Sequence, residues 1–519
     1  MSRRHRPSGA VLCAALLGMS VLPASAAAAS PSTFAQPRPP TPQQCLAASG
    51  GRCLTPAALR AAYGLPPLGA PGPTGKGVTV GVVVSFGSPT IAADLAVYDR
   101  QYALPALDLQ IVSPAGKPPP FDSHDHDRLG WAGETTLDVE MIHAIAPGAR
   151  ILLITTPVSE TEGLQGFPEI IRSENAVLGS VDVLSQSFAA TEPTFDSADQ
   201  IRQLSRQIYP RAKAVGVTVV SASGDNGPVD ATNDGQTLFA RAVTDWPASD
   251  PLVTAVGGTR VQVGADGRRI APDSAWGGRA GAGAGGGGRS EVFGRPGFQD
   301  AVAAVVGPHR GVPDVALDAA VAGGLIIYGS YSGGGWTVGG GTSQATPLLS
   351  GVVAIADEKA GARLGYLNDV LYRLGAAGGI RDITAGSNDL VDAAGHRNPV
   401  PGYGATPGYD LATGLGSIDA SRFVPALVAA RRGHTLPLAG AAGPPDPGAR
   451  GTASPPAGPV GPGPGPGSAP HQRVLSRSAG HGLALPVLGA GAAVAFLVAG
   501  VLGIRTMILR RRRRSGAMR

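Results

Sequence analysis

Val78-Thr79-Val80-Gly81-Val82-Val83-Val84-Ser85-Phe86 is apolar at nearly every position rather than at alternate ones. A strand with one wet face alternates. A strand covered on both faces does not. Similar runs recur at Ile151 to Thr155, Val181 to Phe188 and Val217 to Ala222. Between them lie stretches of helical spacing, such as Glu134 to Ala146 and Ala198 to Ala214. This alternation predicts an α/β domain with a mainly parallel central sheet and helices on both faces.

Outward from this core the composition changes. Arg3, Arg4 and Arg6 precede an apolar run from Ala10 to Leu22, and Ala24-Ser25-Ala26 offers a small-residue cleavage site. Residues 1–26 are therefore predicted to be a secretory signal peptide. Residues 27–44 form an N-terminal extension, and 45–432 are expected to form the folded domain. Residues 433–481, rich in Pro and Gly, are expected to be an extended linker. Residues 482–504 carry no charge; as a helix they would span roughly 34 Å, enough to cross a membrane. The basic tail 505–519 should stay cytoplasmic, leaving the domain outside the cell.

Ten positive charges sit on the two termini of a chain whose net charge is +5, so the rest carries five net negative charges. The basic ends belong to apolar segments and do not argue for nucleic-acid binding. Of three cysteines, Cys13 falls in the signal segment. Cys45 and Cys53 are expected to form a short-loop disulfide in an oxidising compartment. The run from Gly277 to Gly288 is predicted to be a flexible surface loop. It lacks the Lys-Ser/Thr of a phosphate loop.

Two local motifs carry chemistry. Gly339-Gly340-Gly341-Thr342-Ser343-Gln344-Ala345-Thr346-Pro347 places Ser343 at the start of a predicted helix. Free N–H groups there favour developing negative charge. The motif fits a nucleophile or an ordinary helix cap. A serine nucleophile needs a base, and no His lies in a Gly-flanked motif suited to the task. The cluster Asp122-Ser123-His124-Asp125-His126-Asp127 is read as a solvated polar loop. Gly133-Glu134-Thr135-Thr136-Leu137-Asp138 sets two carboxylates four residues apart on one helix face. The pair fits an exposed acidic face, or a coupled acid and base with one raised pKa.

Taken together, Gly133-Glu134-x-x-x-Asp138 and the later Gly341-Thr342-Ser343-x-x-x-Pro347 resemble the signature of the sedolisins, the serine-carboxyl peptidases. Ser223-Gly224-Asp225 resembles their oxyanion segment. Trp246-Pro247-Ala248-Ser249, Val256-Gly257-Gly258-Thr259 and Arg310-Gly311-Val312-Pro313-Asp314-Val315 resemble intervening family segments. The resemblance covers roughly residues 45–430 and implies a subtilisin-like fold. It implies Ser343 as nucleophile, Glu134 as general base and acid, Asp138 as its orienting partner and Asp225 as oxyanion donor. Peptide or protein substrates and acidic working conditions follow. It also implies one structural Ca2+, held by Asp382 and Asp410 with the carbonyls of Ile383, Thr406 and Gly408. Val183-Leu184-Ser185-Gln186-Ser187-Phe188 resembles the family strand that pairs with extended substrate.

Members of that family carry a long N-terminal propeptide. About 20 residues separate Ala26 from Cys45, so no separate prodomain is expected here. Two alternatives remain at this point. One is an inactive sedolisin-like surface-binding protein. The other is a subtilisin-type Asp-His-Ser peptidase, for which Val82-Val83-Val84-Ser85-Phe86 lacks the expected Asp.

Overall fold

The structure, a computed structural model, describes residues 38–160, 166–233 and 237–439. The expected signal peptide, membrane helix and basic tail lie outside these residues. Among the described residues no helix is long and apolar enough to cross a membrane.

The core is a twisted sheet. Its parallel strands are β1 (Thr79–Ser85), β2 (Asp108–Val112), β3 (Arg150–Thr156), β4 (Val183–Gln186), β5 (Thr218–Ala222) and β6 (Thr254–Arg260). A short β7 (Ser274–Ala275) runs antiparallel to β6, and β8 (Val315–Asp318) closes the far edge. The spatial order is β8-β6-β5-β4-β1-β3-β2, with β7 attached to β6. The uniformly apolar runs become interior strands: every residue of β1, β4 and β5 is buried. β2, which lacks such a run, is the edge strand and is largely exposed.

Helices cover both faces. The relevant ones are α1 (Ile91–Tyr102), α2 (His126–Ile145), α3 (Gly166–Val177), α4 (Ala198–Ala214) and α5 (Thr342–Ala360). α2 begins well before Glu134. Asp125 accepts hydrogen bonds from the amides of Asp127 and Arg128 and so caps the helix. The acidic cluster thus supplies a helix start, while His124 stays exposed. α2 and α5 cross closely because Gly351 leaves room. A Cβ there would lie 2.7 Å from the Ile145 Cγ2 atom.

Cys45 and Cys53 are joined as a disulfide. The packed chain continues past residue 432: Leu436 exchanges backbone hydrogen bonds with Arg363, and the Ala439 amide donates to Asp182.

The glycine run divides: Gly278 to Gly281 are exposed, as a surface loop would be, but Ala284 to Gly288 are buried and are not a surface loop. The Gly286 amide donates to the Gly224 carbonyl at 2.7 Å, and the Ala284 amide to the Asp225 carbonyl at 2.9 Å. A Cβ on Gly286 would meet the Ser223 carbonyl oxygen at 1.9 Å. Glycine is required because two backbones touch, and flexibility is not the reason.

Candidate active site

Three elements converge. α2 brings Glu134 and Asp138, α5 brings Ser343 at its first turn, and the segment after β5 brings Asp225. Gly341, with φ +89°, turns the chain into α5. Ser343 is half-buried there, at the end of the turn.

Glu134 and Asp138 are no solvated face. Both are buried, Asp138 completely. Burial first, and the Asp138 charge second, hold the Glu134 carboxyl well above the usual range; contact with the Ser343 side chain opposes that rise. Burial likewise pushes Asp138 up, against a hydrogen bond from Ser187. The two carboxyls titrate as a pair. Glu134 Oε1 and Asp138 Oδ2 have no hydrogen-bond partner among the described residues. Such a pair can share a proton and pass one on.

Asp225 is tied to the nucleophile turn. Its Oδ1 accepts from the Thr342 amide at 2.7 Å and from the Thr342 hydroxyl at 2.8 Å. Its Oδ2 faces Gly341, where a Cβ would sit 2.6 Å away. Burial raises its pKa to about 6, against the Thr342 bonds that lower it. Below that value Asp225 carries a proton and can donate it to an oxyanion.

Ser187 is a site residue that motif reasoning did not single out. It lies one residue beyond β4. Its hydroxyl donates to Asp138 Oδ1 at 2.7 Å and reaches the Ser343 carbonyl at 3.3 Å. The sequence signal was polar Ser185-Gln186-Ser187 ending a buried strand. β4 itself is paired on both edges, by β1 and β5. Both edges of β4 are thus occupied, which leaves no free edge on Val183–Gln186 itself for a peptide. Tyr331 is a second addition. A Cβ on Gly133 would meet its hydroxyl at 2.9 Å, so it roofs the start of the Glu134 turn.

The two segments predicted to hold Ca2+ lie together. The Gly408 amide donates to Asp382 Oδ2 at 2.8 Å, and the Thr406 amide to Asp410 Oδ2 at 2.9 Å. Among the described residues, the carbonyls of Ile383, Thr406 and Gly408 accept no hydrogen bond, and Asp382 Oδ1 is unengaged. An oxygen-only set of this kind fits a hard cation.

This fold and this serine–carboxylate constellation define the subtilisin-like α/β class, and residues 128–366 match the model of the subtilase family. Within that fold the chain is similar in sequence to sedolisin and kumamolisin. Kumamolisin of Bacillus sp. (strain MN-32) is 33% identical over 380 residues, covering 72% of this chain and 63% of that protein. Sedolisin of Pseudomonas sp. (strain 101) is 29% identical over 358 residues, covering 67% of this chain and 58% of that one. The chain thus spans about three fifths of the length of these relatives. The solved structure of Pseudomonas sedolisin (serine-carboxyl proteinase), complexed with two molecules of pseudo-iodotyrostatin, matches with a TM-score of 0.61 at 24% identity. That match covers 73% of this chain and 99% of the solved one, and it shows the shared fold.

Proposed function

We propose that this chain is a serine-carboxyl peptidase that hydrolyses peptide bonds through an acyl-enzyme under acidic conditions. The observation that carries this reading is the convergence of Ser343 with the buried Glu134–Asp138 pair, beside an Asp225 bonded to Thr342. A buried acid pair beside a serine in the first turn of a helix, where Gly341 is the N-cap, has no stabilising use. The Asp138 charge adds to the cost of ionising Glu134.

In this mechanism Ser343 Oγ attacks the peptide carbonyl carbon while its proton passes to the Glu134 carboxylate. Protonated Asp138 hydrogen-bonds to Glu134 and keeps it the proton acceptor. The oxyanion receives hydrogen bonds from protonated Asp225 and the Ser343 amide. Glu134 then gives its proton to the departing amine, leaving an ester on Ser343. Water, deprotonated by Glu134, attacks that ester and restores the serine.

Proton accounting sets the pH dependence. Asp225 must be protonated to donate, and its pKa is about 6. Turnover should therefore be lost as pH rises through about 6. Asp225→Asn keeps a donor at every pH but changes its strength. We expect it to cost about 10²–10³ in kcat and to remove the basic limb set by Asp225. Cleavage of an unfolded protein by residues 27–439 across pH tests this. An unchanged basic limb in Asp225→Asn would remove Asp225 from the mechanism.

We also propose that Asp382, Asp410 and the carbonyls of Ile383, Thr406 and Gly408 hold one Ca2+. When bound, the ion would cross-link the 382 and 406–410 segments and stabilise the fold. A chelator should then lower the melting temperature, and added Ca2+ should restore it. No shift on chelation would reject the ligand set. Finally, we propose that the domain is exported and held at the cell membrane by residues 482–504. Deleting 482–519 should move the protein from the membrane fraction to the medium, and retention after deletion would reject the anchor.

A further inference from the structure

A cavity of about 160 Å³ lies against the catalytic turns, lined by residues that include Arg260, Trp276, Arg279 and Val321. Its volume resembles that of a cavity able to hold a benzene ring, about 150 Å³. Two catalytic segments form its neighbours. On one side the Trp276 ring packs at Gly283, where a Cβ would lie 2.7 Å from Trp276 Cζ2 and 3.2 Å from the Asp225 carbonyl oxygen. On the other, Val321 backs the nucleophile turn, and a Cβ on Gly340 would lie 2.4 Å from its Cγ2.

Two arginines, Arg260 and Arg279, are among the lining residues, and no Asp or Glu is. Arg260 Nη2 is shielded from solvent and has no hydrogen-bond partner among the described residues. The neighbouring carboxylates are engaged elsewhere: Asp273 pairs with Arg269, and Asp389 with Arg397. Neither Arg260 nor Arg279 forms an ion pair among the described residues. A solvent-shielded guanidinium nitrogen without a partner, as at Arg260, is unfavourable until an anion reaches it. The guanidinium geometry matches a carboxylate, which two arginines can clamp. Arg279 is exposed and stands at the rim, and Arg260 lies deeper.

We infer that this cavity is a subsite for a carboxylate of the bound peptide, an Asp or Glu side chain near the cleaved bond. The inference rests on the peptidase reading for its substrate but not for its binding chemistry. The bound carboxylate is ionised, so affinity is full above the free carboxyl pKa of about 4 and falls as pH drops below it.

The test uses internally quenched peptides identical except for Glu or Gln at each position flanking the cleaved bond, each with a free or amidated C-terminus. At one position Glu should be preferred by about 10- to 100-fold in kcat/KM, through KM, as expected for charge-assisted hydrogen bonds. The double variant Arg260→Met, Arg279→Gln should bring that ratio to about one. Arg279→Glu, a change at the exposed rim, should favour Lys over Glu at the same position. Binding of the Glu peptide to the Ser343→Ala protein, measured by calorimetry, gives a readout independent of turnover. It should weaken at least about tenfold when both arginines are replaced. A preference that follows the free C-terminus identifies the terminal carboxylate as the anion in place of a side chain, and overturns the side-chain assignment. Equal cleavage and equal binding of Glu and Gln peptides, or a Glu preference that survives the double variant, overturns the subsite. Tight arginine-dependent binding without any cleavage would keep the subsite and reject the peptidase reading.

Discussion

Ser343→Ala and Glu134→Gln will each lower peptide turnover by at least about 10³-fold, and combining them will cost little more than either alone. Groups that act as one unit lose their effect together. Ser343→Ala removes the attacking oxygen. Glu134→Gln keeps shape and hydrogen bonding but cannot take a proton. The two should differ in stability. Burial raises the Glu134 pKa above its unfolded value. A carboxyl raised in this way contributes stability below its unfolded pKa of about 4.3 and loses it as pH rises through the folded pKa. Glutamine pays no such cost. The Glu134→Gln protein should therefore melt higher than wild type at pH 7 while being inactive. Kinetics with an unfolded protein substrate and thermal melts at pH 4 and 7 decide the matter. Retained turnover in Glu134→Gln would remove the carboxylate base. A lower melting point at pH 7 would show that Glu134 is a stabilising residue.

The second large effect comes from a residue without a side chain. Gly286→Ala puts a methyl group where the Ser223 carbonyl oxygen already sits, 1.9 Å away. Neither backbone can yield freely: Gly286 is bonded to Gly224, and Asp225 to Thr342. The clash should cost about 1–3 kcal/mol of stability. It should also push the Asp225 segment off its position, and displacements near 1 Å cost about 10²-fold in rate. The loss should appear in kcat more than in KM, with the thermal shift as a second readout. Wild-type kcat and melting temperature would mean that the segment around Gly286 simply shifts. Gly281→Ala is the control. It lies in the same run, and its Cβ would meet nothing nearer than 3.4 Å, although its φ of +63° adds local strain.

Much of the sheet was readable because interior parallel strands leave an apolar run. The run Val78 to Phe86 became Thr79–Ser85, and Val217 to Ala222 became Thr218–Ala222. β2 was not readable, since an exposed edge strand such as Asp108–Val112 carries no such run. The Glu134–Asp138 spacing was legible, but its burial was not. Seen alone, two carboxylates on a helix face fit solvent, and only the packing of α2 against α5 and the sheet removes water. Asp225 had no local signal of function and came from the family motif. Its approach to Thr342 depends on two loops separated by more than a hundred residues. The second half of the glycine run, Ala284 to Gly288, was misjudged because composition cannot tell an exposed backbone from one pressed against another backbone.

The double hydrogen bond from Thr342 to Asp225 has a mechanical consequence. The turn that carries Ser343 and the Asp225 side chain are fastened to each other, so motion of the surrounding loops carries them together. Glu134 and Asp138 stand on another element, α2, and Ser187 bridges the two, its hydroxyl 2.7 Å from Asp138 Oδ1 and 3.3 Å from the Ser343 carbonyl. α2 also packs directly against α5 at Gly351. A shift of either helix is therefore passed to the other, and the serine and the carboxylates keep their spacing through packed helices as well as through one hydroxyl.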